Sequence, residues 1–173
     1  MSEFPYVLFE SPQEAALQFS SEHLPLTIGD GKERASMIYE IDYRGQTFYF
    51  VKPSKAYYHD NCIPAAVWGF LKGNHQWIRG HFYKTPIAGF VHTHPFCDCH
   101  GSSAFSKPDY FLLDLFRFRS TKKGWPLVYL ASPSDGTLYL AKRQDKQNVR
   151  VRLERFMAPA SEEQRYRCHR GKR

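Results

Sequence analysis

The sequence predicts an α+β domain built on a mostly antiparallel sheet, and three observations support this. Aromatic and β-branched runs of strand length come in pairs around tight turns: ASMIYEIDY with QTFYFVKP, and WPLVYLAS with TLYLAKR. Two stretches, SPQEAALQFSSEHL and SKPDYFLLDLFRFRS, join a helix-start signal to an apolar stripe. At 173 residues, 42% hydrophobic and 16% aromatic, the chain is the length of one domain and apolar enough to fill a core.

In chain order, Ser11 is the expected N-cap of the first helix, with Glu14 three residues on as in a capping box and Ala15, Ala16 and Phe19 as its buried stripe. TIGDGK reads as a loop. A hairpin should follow, turning at Asp42-Tyr43-Arg44-Gly45. Residues 52–85, aromatic-rich and carrying Pro53 and Pro64, read as an excursion with a short helix at AAVWGFLKG. The chain should return as a strand at IAGFVHTH, stopped by Pro95. YFLLDLFRFRS should be a buried helix, since its first half is almost wholly apolar. A second hairpin should turn at Ser134-Asp135-Gly136, and the alternation in VRVRLERFM suits an edge strand, with a helix as the alternative. The expected organisation is a domain over residues 1–145 followed by a basic C-terminal strand and tail over 146–173.

The net charge of +7 is not evenly spread. From Lys142 onward there are eleven Lys or Arg against four Asp or Glu, so the whole excess lies there and the first 141 residues are balanced. Such a tail is either a solvated end or a contact for nucleic acid or an acidic partner. No apolar run reaches membrane-spanning length. MSEFPYVLFESPQE lacks the basic-then-apolar pattern of a secretory leader. The expected location is therefore the cytoplasm, or outside the cell by a route that needs no cleaved leader. Four cysteines, Cys62, Cys97, Cys99 and Cys168, are too few and too unevenly placed for a disulfide framework.

The densest chemistry lies in GFVHTHPFCDCHGSSAFSKPD, residues 89–109. On a strand, residues two apart share a face, so His92 and His94 should present two imidazoles side by side. Ser106 fits a helix N-cap, Pro108 is tolerated in the first turn, and Asp109 would stand at the helix start, where a carboxylate is favoured. If that helix start faces the strand end, His92, His94 and Asp109 form a three-ligand zinc site with a fourth position open to water. A bound zinc would lower that water's pKa towards about 7, and a separate carboxylate would take the proton. The bland readings are a plain capping box for Ser106 and Asp109 and unliganded histidines for the pair. It is the combination that favours a metal site.

HTHP followed by Ser-x-x-Asp resembles the JAB/MPN (JAMM-type) metallopeptidase signature. The resemblance implies a curved, mostly antiparallel sheet flanked by helices, a cytidine deaminase-like architecture. It also implies Zn2+ held by His92, His94 and Asp109, with Ser106 steadying the tetrahedral intermediate. The implied activity is hydrolysis of peptide or isopeptide bonds, often at ubiquitin-like tails. The spacer here, ten residues from Phe96 to Phe105, is longer than is usual in that family and brings in Cys97, Cys99 and His100. SPQEAALQF, KERASMIYEIDYRGQTFYFVKP, VHTHP and FSKPD together are similar to a narrower relative, the JAB-like domain at the C-termini of bacterial Rhs and other polymorphic toxins. That likeness covers roughly residues 10–140. It implies an effector toxin acting on a protein, an immunity protein as a further partner, and Glu33 as the catalytic base. On the residues alone Glu40 is a rival to Glu33, and either could be a plain surface glutamate. Cys97, Cys99 and His100 are either additional ligands or bystanders in a loop over the cleft. A zinc deaminase is set aside: it needs His-x-Glu and Pro-Cys-x-x-Cys, and the chain has neither. The competing functions are a non-catalytic binding module of the same fold, engaging a protein or nucleic acid, and a nuclease using the basic tail.

Overall fold

In ERASMIYEIDY, the first nine side chains are all buried, on both faces of the strand, so it can only be a central strand covered on two sides. The structure, a computed structural model, describes residues 4–52, 55–57, 75–78, 80–95, 105, 109, 110, 113, 127–145 and 147–164. Helix α1 (Pro12–Asp30) leads into β1 (Glu33–Tyr43) and β2 (Gln46–Val51). The strands β3 (Lys55–Tyr57), β4 (His75–Ile78), β5 (His81–Lys84), β6 (Ile87–Thr93), β7 (Leu127–Ser132), β8 (Thr137–Gln144) and β9 (Gln147–Arg155) follow. The main sheet runs β2-β1-β6-β7-β8-β9, with β3 also on β1, and β4–β5 forms a separate hairpin. Every pairing is antiparallel except β6 with β7. The mostly antiparallel α+β expectation holds.

Period-2 alternation along β1 sorts its side chains onto two cores. Ala35, Met37, Tyr39 and Ile41 join Phe50, Phe90, Val128, Leu130, Phe105 and Leu113 on one face. Ile38 joins Val91, Tyr129 and Leu138 on the other, where Ala15, Ala16 and Phe19 of α1 pack. The parallel pairing of β6 with β7 implies a crossover connection between them. Phe105 and Leu113 are buried in the first of these cores, so the crossover passes on the side away from α1.

Ser11 caps α1 as expected, accepting from the Glu14 amide at 3.2 Å, while Glu14 Oε2 accepts from the Glu10 amide. The stretch read as a loop, TIGDGK, is corrected: the helix continues to Asp30 despite Pro25 inside it. Tertiary contacts outweigh the local breakers, because Thr27 is buried and bonded to β6 and Asp30 is clamped to β1. Gly31, at φ 71°, then ends the helix in the left-handed conformation that glycine adopts without strain, and its amide donates to Thr27 O. The first hairpin turns at Arg44 and Gly45, both with positive φ, which gives the two strands the twist they need. The second turns at residues 133–136 and leaves β9 with alternating exposure beside β8, as an edge strand should have. The excursion over 52–85 contains β3 and the β4–β5 hairpin, which sequence reading missed. Its expected helix at AAVWGFLKG lies outside the described residues. Asp109, Tyr110 and Leu113 are helical, in line with the second expected helix. Among the described residues no helix is long and apolar enough to cross a membrane.

Candidate metal centre

Strand register assembles the site. β1 pairs with β6 through Arg34–Thr93 and Ala35–His92. Continued by one step, the same register would set Glu33 opposite His94, and Glu33, His92 and His94 do lie together. Glu33 and Ala35 share a face, as do His92 and His94, and it is the face that the crossover covers. His94 lies just past the end of β6 but stays on the strand's track, its amide donating to Ala131 O at 3.3 Å. All four polar side chains are buried: Glu33 at 8% exposure, His92 at 0%, His94 at 3% and Asp109 at 3%.

The ligand atoms converge. His92 Nε2 and His94 Nε2 are 3.1 Å apart. Asp109 turns one oxygen to each ring, Oδ1 at 3.1 Å from His92 Nε2 and Oδ2 at 3.7 Å from His94 Nε2. Ligands at about 2.0–2.1 Å from a tetrahedral ion sit about 3.3–3.4 Å from one another, and these separations are of that size. Glu33, His92 and His94 each bring a ligand atom within 4.8 Å of the others, a group that could hold a metal ion. Two carboxylates buried beside two imidazoles favour a positive charge in the cluster, whether a proton on a ring or a metal cation. Burial acts to lower the His92 pKa, but the charge and hydrogen bond of Asp109, with the charge of Glu33, outweigh it and hold the pKa above the ordinary histidine value. A proton and a metal cation would compete for that nitrogen.

Of the residues singled out in the sequence, Glu33, His92, His94 and Asp109 come together. The rivalry between the two glutamates is resolved in position: Glu40 projects from the opposite face of β1, paired with Tyr49 across the strands. Burial, then the charge of Glu40 and its hydrogen bond, raise the Tyr49 phenol above its usual range. Ser106, Cys97, Cys99 and His100 lie outside the described residues. Trp77 is 73% exposed and pairs with Phe82 on the β4–β5 hairpin, away from these residues in the sheet order.

Sequence reading missed the layer behind the site. Thr93, between the two histidines, points to the α1 side, where its hydroxyl meets Thr27 Oγ1 at 2.7 Å and accepts from the Arg34 amide at 3.0 Å. Arg34 forks onto Asp30 with bonds of 2.9 and 2.7 Å. The available signal was a small hydroxyl residue at the centre of His-Thr-His, which alternation turns away from the metal. Set against protein-family models and curated proteins, the chain matches none.

Proposed function

We propose that the protein is a zinc-dependent hydrolase of the JAB/MPN type that cleaves peptide or isopeptide bonds. The observation that carries this reading is the convergence of His92, His94 and Asp109 within 3.1–3.7 Å, with Glu33 beside them. The motif resemblance in VHTHP and FSKPD supports it, and that of SPQEAALQF supports a role as a bacterial effector or toxin domain acting on a protein substrate.

In this reading His92, His94 and Asp109 hold the ion. A bound zinc supplies a Lewis acid and a water acidified towards a pKa of about 7. Glu33, one register step beyond the last β1–β6 pair, accepts the water's proton and delivers it to the leaving amine. Asp109 sets one oxygen beside each Nε2, so all three residues direct ligand atoms at the same point. Ser106, just ahead of Asp109 in the chain, donates to the developing oxyanion.

A second reading rests on a specific observation, the nearness of Glu33 to both histidines. With Glu33 as a fourth ligand the shell would be closed, which makes the ion structural and the domain a binding module. Glu33→Gln separates the two. If Glu33 is the base, the purified variant keeps about one zinc per chain and loses hydrolysis of a peptide or isopeptide reporter by about 10²- to 10⁴-fold. Loss of zinc from Glu33→Gln together with an inactive wild type would overturn the hydrolase in favour of the closed shell.

A further inference from the structure

We infer that Thr27, Asp30, Arg34 and Thr93 form a positioning clamp for the metal centre, fixing the step of the β1–β6 pairing from which Glu33, His92 and His94 project and thereby setting the affinity for Zn2+. The inference rests on the metal-binding reading and deepens it.

The placement carries the argument. Arg34 follows Glu33, and Thr93 stands between His92 and His94. Because side chains alternate along a strand, holding Arg34 and Thr93 on the α1 face obliges their neighbours to face the ion, and a slip of one residue would turn every ligand away. Arg34–Thr93 is also the last pair of the β1–β6 ladder at this end. A strand end is where pairing is most readily lost, and the ligands sit at and beyond it.

The clamp closes that end with side chains. The Arg34 amide donates to Thr93 Oγ1 at 3.0 Å, and Thr93 Oγ1 lies 3.4 Å from Arg34 O. Thr27 Oγ1 meets Thr93 Oγ1 at 2.7 Å, and Arg34 Nη1 donates to Thr27 Oγ1 at 3.3 Å. One assignment of protons satisfies all four contacts: Thr27 donates to Thr93, and Thr93 donates to Arg34 O. Thr27 Oγ1 then gives one proton and receives one, while Thr93 Oγ1 gives one and receives two. The Arg34 guanidinium also bonds Lys32 O at 3.0 Å and both oxygens of Asp30, so the last turn of α1 is anchored to the start of β1. Thr27 and Thr93 are fully shielded from solvent, where a broken bond is not replaced by water.

Thr93→Val removes the hydroxyl and keeps the shape. Zn2+ affinity, measured by competition with a chromophoric chelator, should weaken by about 10- to 100-fold, as loss of an outer supporting group usually does. Thr93→Ser, which retains the hydroxyl, should restore it. Ile41→Val, at the far end of β1, should lower the melting temperature without moving Zn2+ affinity. Should Thr93→Val fail to fold, Asp30→Asn replaces it, with weaker Zn2+ binding again expected. Wild-type affinity in Thr93→Val or Asp30→Asn overturns the clamp and leaves the metal centre standing, as does an equal loss of affinity in Ile41→Val at matched melting temperature. Failure of the wild-type chain to bind Zn2+ removes the metal centre itself, and the clamp with it.

Discussion

The two faces of the sheet where β1 meets β6 are built from adjacent residues and do opposite things. On the α1 face, Arg34, Thr93, Thr27 and Asp30 form hydrogen bonds in which each donor meets an acceptor, including a guanidinium forked onto a carboxylate. On the other face, one residue along each strand, two imidazoles and two carboxylates are buried together. The first arrangement is complete within the protein. The second is a group that could hold a metal ion. The comparison shows how one pair of strands can hold a hydrogen-bonded support and a cluster of potential metal ligands back to back, because alternation separates them by a single residue.

The sharpest way to break this contrast is on the metal side. His92→Ala or Asp109→Ala should reduce bound zinc from about one per chain to a trace after dialysis, measured by elemental analysis, since either leaves too few ligands to retain the ion. Retention of full zinc by both variants would dissolve the cluster as a metal centre. On the helix side the large effect should be on stability. Phe19, 1% exposed between α1 and the sheet, should cost about 3–5 kcal/mol when replaced by alanine in a denaturant titration, while the folded fraction keeps its zinc. Glu40→Gln tests whether the faces are as separate as their geometry: hydrolysis by this variant should match the wild type, because Glu40 lies with Tyr49 on the α1 face. The smallest effect concerns pH. The hydrogen bond from Arg34 holds the Asp30 carboxyl below its ordinary value of 3.8. A carboxyl whose pKa is lower folded than unfolded contributes stability above the unfolded value, and the contribution fades as pH falls through the folded one. Asp30→Asn should therefore melt slightly below the wild type at pH 7, and the two curves should merge as the pH drops below about 4. The side chain is 37% exposed, so solvent screening keeps the difference to roughly 0.2–1 kcal/mol.

Much of the architecture was legible because it rests on local rules. Ser11 with Glu14, the turn residues Arg44 and Gly45, and the alternation in VRVRLERFM each state their structure within a few residues. The failures came where distant contacts outweighed the local preference. Gly29 and Pro25 suggest a loop, yet the helix persists to Asp30 because Thr27 and Asp30 have partners on β6 and β1. The β4–β5 hairpin was missed in an aromatic stretch with no clear alternation. His92 and His94 were identifiable by spacing, whereas the choice of Glu33 over Glu40 was not, since both are glutamates at strand positions seven residues apart.

By itself the sequence determined which residue types could bind a metal and that two of them would share a strand face, because side-chain direction has a period of two and needs no partner to define it. Only the tertiary structure decided which carboxylates join them. Asp109 arrives by a crossover and Glu33 by the register of a neighbouring strand, and both depend on pairings between segments far apart in the chain, which are settled by burying both faces of the sheet at once.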